Sequence, residues 1–326
     1  MIEATLWHPV AALAELDERG GAPLAVRLLE QSLVVWRDAS GGVHAWADRC
    51  PHRGTPLSMG RVTGDRLQCA YHGWQFDARG KCVGIPALPE FVPPASHAAC
   101  VYPTRVAFGL AWVRLEQSGE AIPSIDGAPE RQVICGPFTV ATSAPRIVEN
   151  FLDTAHFGFV HEGFLGDRGH LEVPHYEVSH SAGGAPLVPH YRAWQPQSGA
   201  SVAGGAWVDY RYEVLGPYSA VLVKQADVAA AAKPAPREAY ALWVCPVTPE
   251  ESRVWFTQFT TDTSMPDDTL RAFQTTIFTQ DRPIIESQRP RRLPLEAGGE
   301  LNCAADRLSA AYRRYLRSRG VTFGVC

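Results

Sequence analysis

"CPHRGTPLSMGRVTGDRLQCAYHGW", residues 50–74, contains two short loops built from the same residue types. In the first, one residue separates Cys50 from His52; in the second, two separate Cys69 from His72, and sixteen residues lie between His52 and Cys69. Gly54 and Gly73 close the two loops. Each loop offers one thiolate and one imidazole. Such a set can hold zinc tetrahedrally, although zinc motifs usually pair cysteine with cysteine and histidine with histidine. Mixed loops suit a two-iron, two-sulfide cluster better, because one iron then takes the two cysteines, the other the two histidines, and each loop donates to both.

The sequence around these loops reads as β. "PLAVRLLEQSLVVWRD" and "VHAWAD" are rich in branched and aromatic residues and are separated by the turn signal "ASGG". "WQFD" and "KCVGI" form a further hairpin around Gly80, and "RVAFGLAWVRLE" closes the series. The Gly-, Pro- and charge-rich "QSGEAIPSIDGAPERQ", 117–132, reads as an exposed connection, which places one domain at 1–118 and a second at 119–326.

The second part alternates differently. A helical stretch is expected around 146–160, followed by strand-like runs "HYEVSHS", "AWVDYRYEVLG", "SAVLVKQADV", "EAYALWVCPV" and "SRVWFTQFTTD". Two helices finish the chain: "PDDTLRAFQTTIFTQDRPIIESQ", interrupted at Pro283, and "AADRLSAAYRRYLRSRG", ending in basic residues and Gly320. "VAAAAKPAP", 228–236, reads as a loop. The fold class is therefore α+β: an all-β N-terminal domain, then an antiparallel sheet flanked by helices.

Composition excludes several classes. At 326 residues, 46% hydrophobic and 20% charged, the chain is globular rather than disordered. A formal net charge of −4 without a long Lys/Arg run gives no pull toward nucleic acid or anionic membranes. No apolar run approaches the roughly 18 residues of a membrane span, and "MIEATLWHPVAALAEL" lacks the pattern of a secretory signal, so a cytoplasmic protein is expected. The eight cysteines show no disulfide-framework spacing.

A second constellation lies in "ENFLDTAHFGFVHEGFLG", 149–166. At about 100° per residue a helix turns roughly 140° between His156 and His161, so a regular helix would not present both on one face. A helix that ends or distorts around Gly158 would bring them together. Two histidines with one carboxylate on a single face of a non-haem Fe(II) leave the opposite face for O2 and substrate. Asp153, three residues before His156, would share its helix face and could accept a hydrogen bond from the nitrogen that does not bind metal.

The C-P-H-R-G and C-x-Y-H-G-W loops, together with Asn150-x-x-Asp153-x-x-His156-x4-His161, resemble the Rieske non-haem iron oxygenases across both domains. The resemblance implies a [2Fe–2S] Rieske cluster on Cys50, His52, Cys69 and His72. It also implies a mononuclear Fe(II) on His156, His161 and a late carboxylate, which "TQDRPIIESQRP" supplies as Asp281 ahead of Glu286 and Gln288. The extra cysteine pair and serine of the respiratory branch are missing where Thr55, Tyr71 and Trp74 stand, which implies a lower cluster potential. By the same resemblance Asp153 links His156 to His72 of the partner subunit in a ring, expected to be a trimer, and Asn150 lies close to the iron without being a constant ligand.

The activity implied is that of a terminal oxygenase fed by an NAD(P)H-dependent flavin and iron–sulfur reductase, directly or through a ferredoxin; no G-x-G-x-x-G fingerprint follows a strand here. The chain is similar to the compact type that includes vanillate and dicamba O-demethylases and toluenesulfonate methyl-hydroxylases. Hydroxylation or oxidative demethylation of a small aromatic or heterocyclic substrate is thus expected ahead of cis-dihydroxylation. A Rieske electron carrier with a silent second domain and a zinc-bound structural protein are the readings from other classes; about three irons per chain, two irons, or zinc would separate them. His170, His175, His180 and His190 read as surface or pocket residues rather than a second metal site. Lys224, Arg192 and Arg211 could meet a substrate carboxylate, although solvent-facing positions are favoured. Phe157 and Phe159 read as core or pocket lining.

Overall fold

The computed structural model describes residues 1–198, 204–227, 236–296 and 298–326. The chain divides into two compact units, Glu3–Ile122 and Pro123–Cys326.

The first unit is built from three small antiparallel sheets and a short helix α1, Leu13–Glu18. One sheet joins Leu24–Leu28, Gln31–Arg37, Val43–Ala47 and Val101–Tyr102. Another is the hairpin ladder Arg61–Thr63, Arg66–Gln68, Gln75–Asp77 and Cys82–Gly84, whose central turn carries Cys69 and His72. Between these two sheets Trp36, Trp46, Leu57, Leu67 and Phe76 are fully buried, and Cys50 and Cys69 belong to the same core. The aromatic and branched residues that mark these strands in the sequence thus form the floor beneath the ligand loops.

The second unit is a seven-stranded antiparallel sheet with helices α2 (Ala144–Leu152), α3 (Phe157–Val160), α4 (Asp267–Ser287) and α5 (Arg307–Ser318). From one edge its strands run Arg131–Val140, Glu251–Thr260, Arg237–Thr248, Ser219–Asp227, Ala206–Gly216, Pro186–Gln195 and Ser179–His180. Six of these follow one another as a meander, while the first strand in sequence pairs with the last. In "AWVDYRYEVLG" Ala206, Val208, Tyr210, Tyr212 and Val214 are buried in alternation, as a strand with one covered face requires. Helix α2 begins at Ser143, whose hydroxyl accepts from the Arg146 N–H, with Pro145 in its first turn. It is tied to α5 by Arg313, which grips Glu149 through two nitrogens and Glu300 through one, and Arg146 grips Glu300 as well. This network fixes the helix that carries Asn150.

The architecture is a β-rich unit followed by a mixed α+β unit, as expected, with three local corrections. The stretch around 146–160 is two helices rather than one, because α2 stops at Asp153, whose backbone is extended. Helix α4 runs through Pro283 to Ser287 without interruption. Of "HYEVSHS" only Ser179–His180 is strand. The loop reading of 228–236 lies, but for its last residue, outside the described residues. Among the described residues no helix is long and apolar enough to cross a membrane.

Candidate active site

The two Cys/His loops of the first unit fold in the same way. The carbonyl of Cys50 accepts from the N–H of Gly54 (2.9 Å), and that of Cys69 from Gly73 (3.1 Å). The N–H of Cys50 donates to the carbonyl of Thr55 (2.8 Å), and that of Cys69 to Trp74 (2.9 Å). Gly54 and Gly73 both adopt left-handed backbone, φ +76° and +72°, which closes each loop and which other L-residues adopt at a cost. The two loops therefore share one backbone bonding pattern, with both cysteines buried and the two imidazole rings 4.6 Å apart between centroids. The His52 ring stacks on Trp74 at 4.5 Å, and Trp74 on His97 at 5.2 Å. Burial, with Cys69 alongside, pushes the Cys50 thiol up to about 11. A bound cation is what would hold such a sulfur as thiolate, so two buried cysteines facing two accessible histidines fit a [2Fe–2S] cluster.

In the second unit three side chains converge. Nε2 of His156 and of His161 lie 3.4 and 3.2 Å from Oδ1 of Asp281, and all three candidate ligand atoms fall within 4.8 Å of one another. Ligands about 2.1 Å from a common ion and at right angles stand about 3 Å apart, so the spacing suits one metal with an open face. Among the described residues no other group of His, Cys, Asp and Glu converges in this way.

The local backbone explains how a five-residue spacing achieves this. The break falls at Asp153–Ala155, upstream of the expected position at Gly158. Asp153 ends α2, and its Oδ1 accepts from the N–H of Ala155 (2.7 Å), a short side-chain turn that redirects the chain. His156 then caps α3 at its start, its carbonyl accepting from Phe159 and Val160, and His161 leaves the helix at its end with φ −111°, ψ 31°. Gly158 sits inside α3: a Cβ there would lie 2.4 Å from Leu171 and 2.9 Å from the carbonyl of Asp167. Its role is close approach rather than a break in the helix.

Around the triad, the amide of Asn150 donates to Oδ1 of Asp281 (3.1 Å) from α2. Gln280, beside Asp281 on α4, places Oε1 2.8 Å from Nδ1 of His161. Asp153 Oδ2 lies 3.4 Å from Nδ1 of His156, a loose contact made from the helix end rather than from a shared helix face. Burial disfavours the His156 cation, yet the neighbouring carboxylates of Asp153 and Asp281 outweigh it and hold its pKa above the usual value. The same site that favours a proton there would favour a metal cation.

Beside the triad opens a cavity of about 650 Å3, counting its mouth, between the sheet and α2, α3 and α4. Phe151, Phe157, Phe256 and Phe278 make most of it aromatic, while Asn150, Tyr212 and Lys224 add polar groups. This is the concave, largely apolar shape that small organic ligands occupy.

Residues 6–103 match the family described as Rieske [2Fe-2S] domain, and residues 140–320 match the vanillate O-demethylase oxygenase C-terminal domain. The chain belongs to the Rieske non-haem iron oxygenases. Methylxanthine N1-demethylase NdmA of Pseudomonas putida is 33% identical over 323 residues, covering 95% of this chain and 87% of that protein. Methylxanthine N3-demethylase NdmB of the same organism is 30% identical with the same coverage. The solved structure of NdmA with caffeine aligns at a TM-score of 0.83 and 31% identity, over 96% of this chain and 90% of that one. Dicamba monooxygenase, at 23% identity and a TM-score of 0.76, shares the fold over 98% of this chain and 97% of its own.

The oxygenase accordingly carries a Rieske [2Fe–2S]-binding domain and, in His156, His161 and Asp281, a facial triad for mononuclear iron. His170, His175, His180 and His190 stay at the surface: His170 meets Asp167 at 3.0 Å and stacks on Trp194, His175 meets Glu177 at 2.7 Å, and His180 and His190 are exposed. Carboxylate partners thus exist, although none gathers two of these histidines. Phe157 lines the cavity, whereas Phe159 is exposed beneath the Arg168 guanidinium. Arg192 pairs with Asp227, and Arg211 with Glu213, outside the cavity. Lys224 contradicts the solvent-facing expectation: it is 5% exposed and lines the cavity. Gln280 escaped the sequence reading; its position next to the late acid was the available signal.

Proposed function

We propose that this terminal oxygenase removes a methyl group oxidatively from a small aromatic heterocycle, by hydroxylating the methyl carbon attached to a ring heteroatom. The carrying observation is the facial triad set against an aromatic-walled cavity in a chain similar to two methylxanthine demethylases. The balance is one methyl C–H, O2, two electrons and two protons giving a hydroxymethyl group and water; the hydroxymethyl group then leaves as formaldehyde. When bound, the two metal centres supply electron storage and O2 activation. Cys50, His52, Cys69 and His72 would hold the cluster. Asn150 would orient Asp281, and Asp153 would orient His156 and meet His72 of the partner subunit in a trimer.

Electrons would come from a separate NAD(P)H-dependent reductase; Oxidoreductase NdmD of Pseudomonas putida is 38% identical to this chain over 129 residues, 22% of that protein. The long α4 laid against the antiparallel sheet supports a helix-grip reading of the catalytic domain, and the absence of a spanning helix among the described residues fits a cytoplasmic site of action.

The test is reconstitution with a surrogate reductase and NADH over a panel of N-methyl and O-methyl aromatics. Formaldehyde equal to substrate consumed is the expected result. A cis-diol would move the chemistry to dihydroxylation, and oxygen uptake yielding only peroxide across the panel would overturn the reading.

A further inference from the structure

Lys224 is the one lysine or arginine among the described residues lining the catalytic cavity. It shares a strand face with Leu222, which also lines the cavity, so the period of two along the strand turns Lys224 inward as well. Its ammonium group donates to the carbonyl of Ser198 (2.7 Å) and lies 5.1 and 5.9 Å from the ring centroids of Tyr240 and Phe273, both on the cavity wall. Directly across the ladder stands Glu238, 5% exposed, whose Oε2 is 3.7 Å from the ammonium, beyond direct hydrogen-bond reach. Glu238 lies behind the wall, its other oxygen taking the Tyr240 hydroxyl (3.3 Å) and the Gln258 amide (3.4 Å).

An ammonium has three N–H donors, and one goes to Ser198. Donor capacity therefore remains toward the cavity, while the charge is offset by a carboxylate at its back. An entering carboxylate would have to share Lys224 with Glu238 in a water-poor space, where two like charges repel strongly. A carbonyl oxygen takes the same hydrogen bond without adding charge.

Resting on the oxygenase reading above, we infer that Lys224, backed by Glu238, orients the substrate by donating to a carbonyl oxygen, so the cavity takes neutral planar heterocycles bearing ring carbonyls in preference to aromatic carboxylates. Lys224 is then a specificity-determining contact. Glu238 is a positioning residue that keeps the wall neutral.

The experiment is anaerobic calorimetric binding to the metal-loaded enzyme, with an N-methylated ring-carbonyl heterocycle and a methoxybenzoate of similar size as probes. The wild type should bind the heterocycle at least about tenfold more tightly than the carboxylate. Lys224→Met should weaken the heterocycle by about 10- to 100-fold, since a cavity built around a hydrogen bond loses it outright. Glu238→Gln, leaving the lysine charge unbalanced, should tighten the methoxybenzoate by about tenfold. The double variant Lys224→Met/Glu238→Gln keeps the wall neutral and serves if either single change impairs folding; it should lose the heterocycle without gaining the carboxylate. Heterocycle binding unchanged within about twofold in the variants lacking Lys224, no binding of the heterocycle by the wild type, or a wild-type preference for the carboxylate would each overturn the inference. Binding is read without turnover, so lysine-dependent binding with no formaldehyde from any panel compound would fault the demethylase reading alone.

Discussion

Helix α4 addresses both nitrogens of one imidazole: Gln280 Oε1 lies 2.8 Å from Nδ1 of His161, and Asp281 Oδ1 lies 3.2 Å from its Nε2. A carbonyl oxygen at Nδ1 fixes the proton there and leaves the Nε2 lone pair for metal. Gln280→Leu should therefore weaken mononuclear iron by about 10- to 100-fold. Chelator competition measures the loss, with the cluster's paramagnetic signal as internal control; unchanged iron retention would remove this role.

Asp281→Ala takes away the carboxylate itself. The variant should lose the mononuclear iron and keep the reduced cluster's electron paramagnetic resonance signal, giving about two irons per chain instead of about three. Iron content equal to wild type would send the search for the carboxylate elsewhere.

Asp153 touches His156 without lying among the three converging ligands. Asp153→Ala should keep both metals near wild-type content and reduce substrate turnover by at least about tenfold, the lower range for an outer-shell partner of a metal histidine. Activity preserved with both metals in place would end its assignment as the connection between centres.

Gly158 tests the backbone requirement independently of any ligand. With Leu171 2.4 Å and the Asp167 carbonyl 2.9 Å from an added Cβ, Gly158→Ala should destabilise the second unit by about 1–3 kcal/mol and displace α3. Thermal denaturation with iron analysis checks both; a variant with wild-type Tm and iron content would show that the contact yields freely.

His8 gives a pH signature in the first unit. Wholly buried, its imidazole donating to the carbonyl of Glu3 (2.8 Å), it has its pKa lowered by burial from 6.5 to about 4. The unfolded chain thus takes up a proton before the folded one does. Its neutral form contributes full stability above pH 6.5, and that contribution is lost as pH falls through 6.5 toward 4, by about 3 kcal/mol in all. Denaturant titrations at pH 7 and pH 4 should show a smaller drop for His8→Gln than for wild type, and equal drops would contradict the linkage.

Much of this was legible in the sequence, for physical reasons that differ by site. Cys50, His52, Cys69 and His72 stand out because a ligand loop is local: the residues that meet lie within a few positions, and glycine marks each close. The strands of the second unit were legible where alternation is clean, as in Ala206–Gly216. His156 and His161 were legible as a pair but not in their route. A proline- and glycine-based reading looks for a break at Gly158, whereas the carboxylate of Asp153 bends the chain by bonding to the Ala155 N–H. Lys224 misled because charge suggests solvent, and its inward position follows from strand parity with Leu222 and from Glu238, fourteen residues away across the ladder. Gln280 had only its place beside Asp281 to mark it, because its partner His161 arrives from another helix.

The order of strands in the second sheet has a consequence for biogenesis. Arg131–Val140, the first strand of the seven-stranded sheet to leave the ribosome, has its ladder partner in Glu251–Thr260, and the third iron ligand follows later still on α4. The Cys/His loops, by contrast, are complete by Trp74 within a unit that ends near Ile122. Domains generally fold in the order they are synthesised. A growing chain can therefore complete its Cys/His loops while the three side chains of the second site are still waiting for α4.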